Sequence, residues 1–290
     1  MAFSGSVDAI ALARSPSIPL RLAALPWRAW LRDARHFQIA ALATLLALNM
    51  AWLDFGARPV PSLLAIASAF GAQITCSQLW HLPRIDLRSP LITGLSLSLL
   101  LRTDDPGLMA VAGVLAIVAK FAIRIDGKHL WNPAAIAIVT LLLATDRVWI
   151  SPGQWGASIW FAALLTFFAI LVLQASRRTD IALFFLGAHV ALLLARAEWL
   201  GDPLAIPLHQ LENGALLLFA FFMISDPRTA PDSRLGRLVF ALAVALLAHW
   251  LAFFQQLRPA LPVALVAVSL FTPALDRLLP AERFQWSKPS

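Results

Sequence analysis

Ten apolar segments of 13 to 20 residues follow one another along this chain with almost no charge inside them. They fall at residues 37–55, 61–80, 90–102, 107–124, 132–145, 157–175, 180–198, 208–225, 237–255 and 259–276. A helix that crosses a bilayer needs roughly 20 mostly apolar residues. None of the ten segments shows the strict polar alternation of a barrel strand. The pattern predicts an all-α integral membrane protein of ten transmembrane helices. The third and fifth segments are short, as half-helices or re-entrant pieces are. Composition agrees, with 60% hydrophobic and 13% charged residues among 290 and a mean hydropathy of +0.76. A soluble chain averages about 45–50% apolar and about 25% charged. A soluble enzyme, a disordered chain, a disulfide scaffold and a coiled coil are thereby excluded. A single cysteine, Cys76, leaves no internal disulfide or thiolate metal cluster.

The net charge of +7 is read as basic loops facing anionic lipid rather than as a nucleic-acid surface. With the N-terminus inside, 18 of the 23 lysines and arginines fall on inner segments and five on outer loops. This bias predicts a multi-pass protein of the bacterial inner membrane with both termini in the cytoplasm. Residues 1–35 carry Arg14, Arg21, Arg28, Arg32 and Arg35 and are broken by three prolines. They read as a basic cytoplasmic arm rather than a cleavable signal, with Leu20 to Trp30 as a surface-lying amphipathic stretch. Lys120, near the inner end of the fourth segment, reads as a residue that snorkels to the interface.

Two halves of five spans share features. Thr93-Gly94 followed by Asp105-Pro106 parallels Asn213-Gly214 followed by Asp226-Pro227, with Gly-to-Pro spacings of 12 and 13. Asn132-Pro133-Ala134 parallels Arg258-Pro259-Ala260. An odd number of spans per half inverts the second half. The expected organisation is an arm (1–35), two inverted five-helix repeats (36–156 and 157–280) and a cytoplasmic tail (281–290). Helices 3, 5, 8 and 10 are the short or broken ones, the kind that carries ligand sites in such folds.

The stretch Gly127-Lys128-His129-Leu130-Trp131-Asn132-Pro133 lies at the inner face. Asn132 there either caps the helix that Pro133 begins or meets a ligand at that polar terminus together with His129. The stretch from Ser225 to Pro231 is either a solvated turn or a loop folded over a cofactor. His189 and His249 lie inside spans; they serve as packing or quinone-site histidines or, as the alternative, as haem ligands. No soluble-enzyme motif is present.

Three blocks together resemble a known family. They are Ile92-Thr93-Gly94-Leu95, Gly127 to Ala134, and Phe222-Met223-Ile224-Ser225-Asp226-Pro227-Arg228-Thr229-Ala230-Pro231 with Gly236-Arg237. Their order and spacing are similar to those in two related membrane proteins, RnfD of the Rnf electron-transport complex and NqrB of the sodium-translocating NADH:quinone oxidoreductase, across residues 37–280. The resemblance implies ten helices in two inverted halves and electron transfer through flavin. It implies cofactor contacts at Gly127, Lys128, His129, Asn132, Thr93, Asp226 and Thr229. Asn132 matches an asparagine of the family block, whereas His129 replaces another. The family also holds FMN covalently on the last threonine of a Ser/Thr-Gly-Ala-Thr motif. Here Gly156-Ala157-Ser158 is a shortened echo in a shorter loop, with Ser158 either at the acceptor position or simply opening the sixth helix. The departure points to non-covalent riboflavin or FMN in preference to covalent FMN.

The first functional reading is a membrane electron-transfer subunit of the Rnf/Nqr type. It has no metal site of its own and depends on other redox subunits or flavoproteins, with quinone as a further partner. A small-solute transporter or channel and a cofactor-free structural subunit are the other readings.

Overall fold

The computed structural model describes residues 33–54, 56–151 and 159–284. The basic arm up to Arg32 and the loop residue Ser158 lie outside the described residues. Each of the ten apolar segments contains helix. The long helices are α1 (Ala34–Leu53, its last turn π-helical), α2 (Pro59–Leu79), α7 (Thr179–Leu200) and α10 (Arg234–Phe253). These four are long and apolar enough to cross a membrane. A fifth candidate is α11 (Ala260–Ser269) with α12 (Thr272–Leu278), bent by 48° at the break between them. The remaining helices are α3 (Arg88–Leu100), α4 (Pro106–Ala122), α5 (Pro133–Ala144), α6 (Ile159–Ser176), α8 (Ala205–Leu211) and α9 (Gly214–Met223). At 1.5 Å per residue, the 12 residues of α5 rise about 18 Å, well short of a hydrocarbon core of about 30 Å. The eighth apolar segment is split, because the chain breaks between α8 and α9 where Asn213 caps the new helix by accepting from the Leu216 amide at 3.1 Å.

Side-chain signals set the helix starts. Asp105 and Asn132 each precede a proline and accept a hydrogen bond from the helix they open, from the amides of Gly107 (2.9 Å) and Ala135 (3.1 Å). Packing relies on small residues. A Cβ on Gly113 would lie 2.1 Å from Ser68 Oγ and 2.6 Å from the Ala65 carbonyl, so α2 and α4 approach almost backbone to backbone. Gly94 plays the same part between α3 and α2, where a Cβ would come within 2.7 Å of Ile66 Cα. Large apolar side chains such as Leu63, Leu183, Trp199 and Leu246 point outward, whereas alanines crowd the interior. This inversion suits a protein whose solvent is lipid.

Two short antiparallel pairs tie the loops together. β1 (Leu101–Thr103) pairs with β4 (Val148–Ile150), Arg102 standing opposite Trp149. β2 (Arg124–Ile125) pairs with β3 (Lys128–His129) through a two-residue Asp126-Gly127 turn. Both turn residues have positive φ, 51° and 79°, as a tight hairpin of this sequence requires. This hairpin lies at the end of the bundle that gathers the charges, termed the basic end below. There Arg237 forks onto Asp180 (2.6 to 3.0 Å), joining the starts of α10 and α7. Asp33, Arg35, Asp86 and Arg88 form a closed ion-pair ring between α1 and the start of α3.

Candidate functional site

A cavity of about 300 Å³ opens at the basic end. Its wall draws on the start of α1, the ends of α2, α4, α6 and α9, the starts of α3 and α5, and the loop after α9. Four residues expected as a site, Thr93, His129, Asn132 and Asp226, come together on this wall. Sequence separation between them reaches more than 100 positions, so the fold alone unites them.

Asn132 fills both roles read from its sequence. Its Oδ1 accepts from the Ala135 amide while its Nδ2 donates to Asp226 Oδ2 at 3.3 Å. The α5 cap and the loop after α9 are thus one hydrogen-bonded unit. Asp226 Oδ1 also accepts from the Arg228 amide at 3.0 Å. Burial pushes the Asp226 carboxyl up, against the pull of Arg228 and Asn132. His129 is pushed down to about 3, chiefly by burial and further by the cations Lys120, Arg228 and Arg124. It is therefore a neutral imidazole at physiological pH. Its Nδ1 is buried with no hydrogen-bond partner among the described residues, which leaves a polar atom to be satisfied. Phe221, Phe222 and Val172 supply apolar wall.

Three further expected residues stand off the cavity. Lys128 is directed away and bonds Asp276 (2.7 Å), Asp232 (3.2 Å) and the Ala230 carbonyl (2.8 Å). Gly127 serves the hairpin turn, and Thr229 bonds back to the Asp226 carbonyl at 3.4 Å. Each is committed to local structure, because a lysine between two aspartates or a glycine at positive φ has a sufficient reason where it stands. His189 and His249 lie on α7 and α10, which pack closely. Each rests on an aromatic ring of its own helix, Phe185 and Phe253. No group of three or more His, Cys, Asp or Glu that could hold a metal occurs among the described residues.

Lys120 departs from the snorkelling expectation. It turns inward, donates to Gln73 Oε1 at 2.8 Å and Ser89 Oγ at 2.7 Å, and lines the cavity. The signal was present in the sequence: a lysine and a glutamine inside two neighbouring apolar segments, each needing a partner away from lipid. Arg84, Arg124 and Arg228 also line the cavity and were not expected there.

The NQR2, RnfD, RnfE family model matches residues 145–285. A protein of Cronobacter sakazakii, named as the RnfD component of an ion-translocating oxidoreductase complex, is 26% identical, over 84% of this chain and 93% of its own length. A protein of the same name from Stutzerimonas stutzeri is 27% identical, over 74% of this chain and 81% of its own. Another, from Alcanivorax borkumensis, is 38% identical over 95 residues, which span 32% of this chain and only 27% of that relative. The resemblance carried by the three sequence blocks holds: this chain is a divergent member of the NQR2, RnfD, RnfE family.

Proposed function

We propose that the chain is the membrane-embedded electron-transfer subunit of an Rnf/Nqr-type redox system, and that a flavin held non-covalently in the basic-end cavity is its carrier. The observation that carries this reading is the convergence of Thr93, His129, Asn132 and Asp226 on one cavity together with the orphaned His129 Nδ1. The residues suit a flavin: neutral hydrogen-bonding groups for the edge of a planar ring, phenylalanines against its apolar part, and cations nearby. The cavity is at the small end of the range for ligand pockets, about 300–1,000 Å³. A flavin supplies one- and two-electron redox chemistry when bound. The protein's own contribution is placement. The Asn132–Asp226 bond fixes the wall, neutral His129 donates or accepts at Nδ1 without adding charge, and the phenylalanines exclude water.

The same reading takes the ten helices as two inverted halves in the bacterial inner membrane with both termini inside. Packing supports it. The second and fourth helices of each half, α2 with α4 and α7 with α10, make the most extensive pairings. The fifth members, α5 and α11, meet across the halves, where Trp131 Nε1 donates to the Val266 carbonyl at 2.9 Å. Partners are the other subunits of the redox complex or flavoproteins, with quinone as a further acceptor. The relatives are named as components of an ion-translocating oxidoreductase complex, which supports that assignment.

The test is the absorbance spectrum and intact mass of detergent-purified protein before and after acid precipitation. Flavin absorbance that acid releases, with unmodified protein mass, is expected. A colourless protein from flavin-replete cells overturns the reading. Flavin that stays on the precipitated chain, with a matching mass increase, replaces it by covalent attachment at a site such as Ser158.

A further inference from the structure

The cavity carries more positive charge than its carboxylates can answer. Its wall holds Arg35, Arg84, Lys120, Arg124 and Arg228 against Asp86 and Asp226. Asp86 is taken up by Arg35 and Arg88, and Asp226 accepts from the Asn132 side chain and the Arg228 amide. Among the described residues, no carboxylate lies within ion-pair distance of Arg84, Lys120, Arg124 or Arg228. Lys120 is 7% exposed and its bonded partners are neutral oxygens. A buried ammonium without a counter-charge is costly, and an anion entering the cavity relieves that cost. The arrangement also has a direction. Asn132 and Lys120 are buried, at 8% and 7% exposure, whereas Arg84 and Arg124 are exposed and Arg228 is half-buried. The planar-ring contacts are thus deep and the arginines stand at the mouth, where their guanidinium forks suit phosphate oxygens.

We infer that the cavity selects a ligand bearing a phosphate at its outer end, so that its flavin is the mononucleotide, held non-covalently, rather than riboflavin. This inference rests on the flavin reading above and adds the phosphate site of Arg84, Arg124 and Arg228. Among the described residues, these arginine side chains have no other charged partner to lose. Arg124 Nε donates to the Lys120 carbonyl at 2.9 Å and Arg228 to the Gly127 carbonyl at 3.3 Å, bonds that leave guanidinium donors over.

The test uses the full chain in a neutral detergent, washed free of flavin and titrated by fluorescence quenching with FMN and, separately, riboflavin. FMN is expected to bind about tenfold or more tighter than riboflavin. In the Arg124→Gln, Arg228→Gln double variant the gap closes, because FMN weakens while riboflavin binding holds. Arg84→Gln, on an exposed turn, narrows the gap in the same sense and serves where the double variant does not fold. Inorganic phosphate competes with FMN and not with riboflavin. Equal affinities in the wild type overturn the inference and leave the flavin reading standing. Binding of neither overturns both. A repeat in nanodiscs of phosphatidylcholine and of phosphatidylglycerol separates the phosphate of the flavin from that of a lipid headgroup: the FMN preference is expected in both. Its loss in the anionic lipid assigns the arginines to headgroups and overturns the inference.

Discussion

Two places in this apolar bundle hold polar side chains away from bulk water, and they are built differently. At the basic end, the termini of seven helices and one loop converge, and their polar groups bond across elements, as Asn132 does to Asp226 and Lys120 does to Gln73 and Ser89. In the middle of α7 and α10, His189 and His249 each rest on a ring of their own helix, and both leave Nδ1 buried without a partner among the described residues. Helix termini bring free backbone groups and loops that can turn side chains toward one point. Helix middles bring only what projects from a fixed surface. The first place is a site because the chain ends its helices there, and the second is two buried histidines on packed helices.

The largest expected effect sharpens the contrast from beside the cavity. Lys128→Ala strands Asp232 and Asp276, whose ion pairs it completes at 3.2 and 2.7 Å. Removing one partner of a largely buried pair costs about 3–5 kcal/mol. The midpoint of chemical denaturation in detergent reports the loss, and the folded fraction is expected to keep its flavin content. Next is Gly113→Ala, whose Cβ would fall against Ser68 Oγ and the Ala65 carbonyl. Forcing α2 from α4 is expected to cost about 1–3 kcal/mol, again without altering cofactor chemistry. A stable Gly113→Ala protein would contradict the close approach of these helices.

The third effect lies in the cavity itself. Burial holds His129 at about 3 in the folded protein, below its ordinary value near 6.5. Between these values the unfolded chain binds the extra proton and the folded one does not. Stability is therefore complete above about pH 6.5 and falls as pH drops toward 3, by about 1.4 kcal/mol per pH unit from this one group. His129→Gln is expected to flatten that part of the profile measured by denaturation at pH 4 to 7. The smallest effect is expected at the other place. His189→Phe or His249→Phe removes an unpartnered buried nitrogen and keeps a ring, so stability is expected to change by less than about 1 kcal/mol or to rise slightly.

Much of this was legible in the residues. Asp105-Pro106, Asn132-Pro133 and Asn213-Gly214 marked helix starts that the structure has at those positions, because capping is a local interaction of the few residues involved. Thr93, His129, Asn132 and Asp226 were legible as site residues through the family blocks. Gly127, Lys128 and Thr229 belonged to the same blocks for structural reasons, which a block of sequence does not separate from binding. The pairing of Leu101–Thr103 with Val148–Ile150 and the inward turn of Lys120 toward Gln73 and Ser89 were not legible. Both depend on which of several apolar helices become neighbours, and leucine-rich segments carry little information about that choice.

The most direct measurement compares flavin content in three proteins purified side by side: the wild type, Asn132→Ala and His249→Phe. The account predicts flavin in the wild type, its loss or strong depletion in Asn132→Ala where the cap and the Asp226 bond both go, and wild-type content in His249→Phe. Full flavin in Asn132→Ala, or its loss in His249→Phe, would contradict the placement of the carrier in the basic-end cavity.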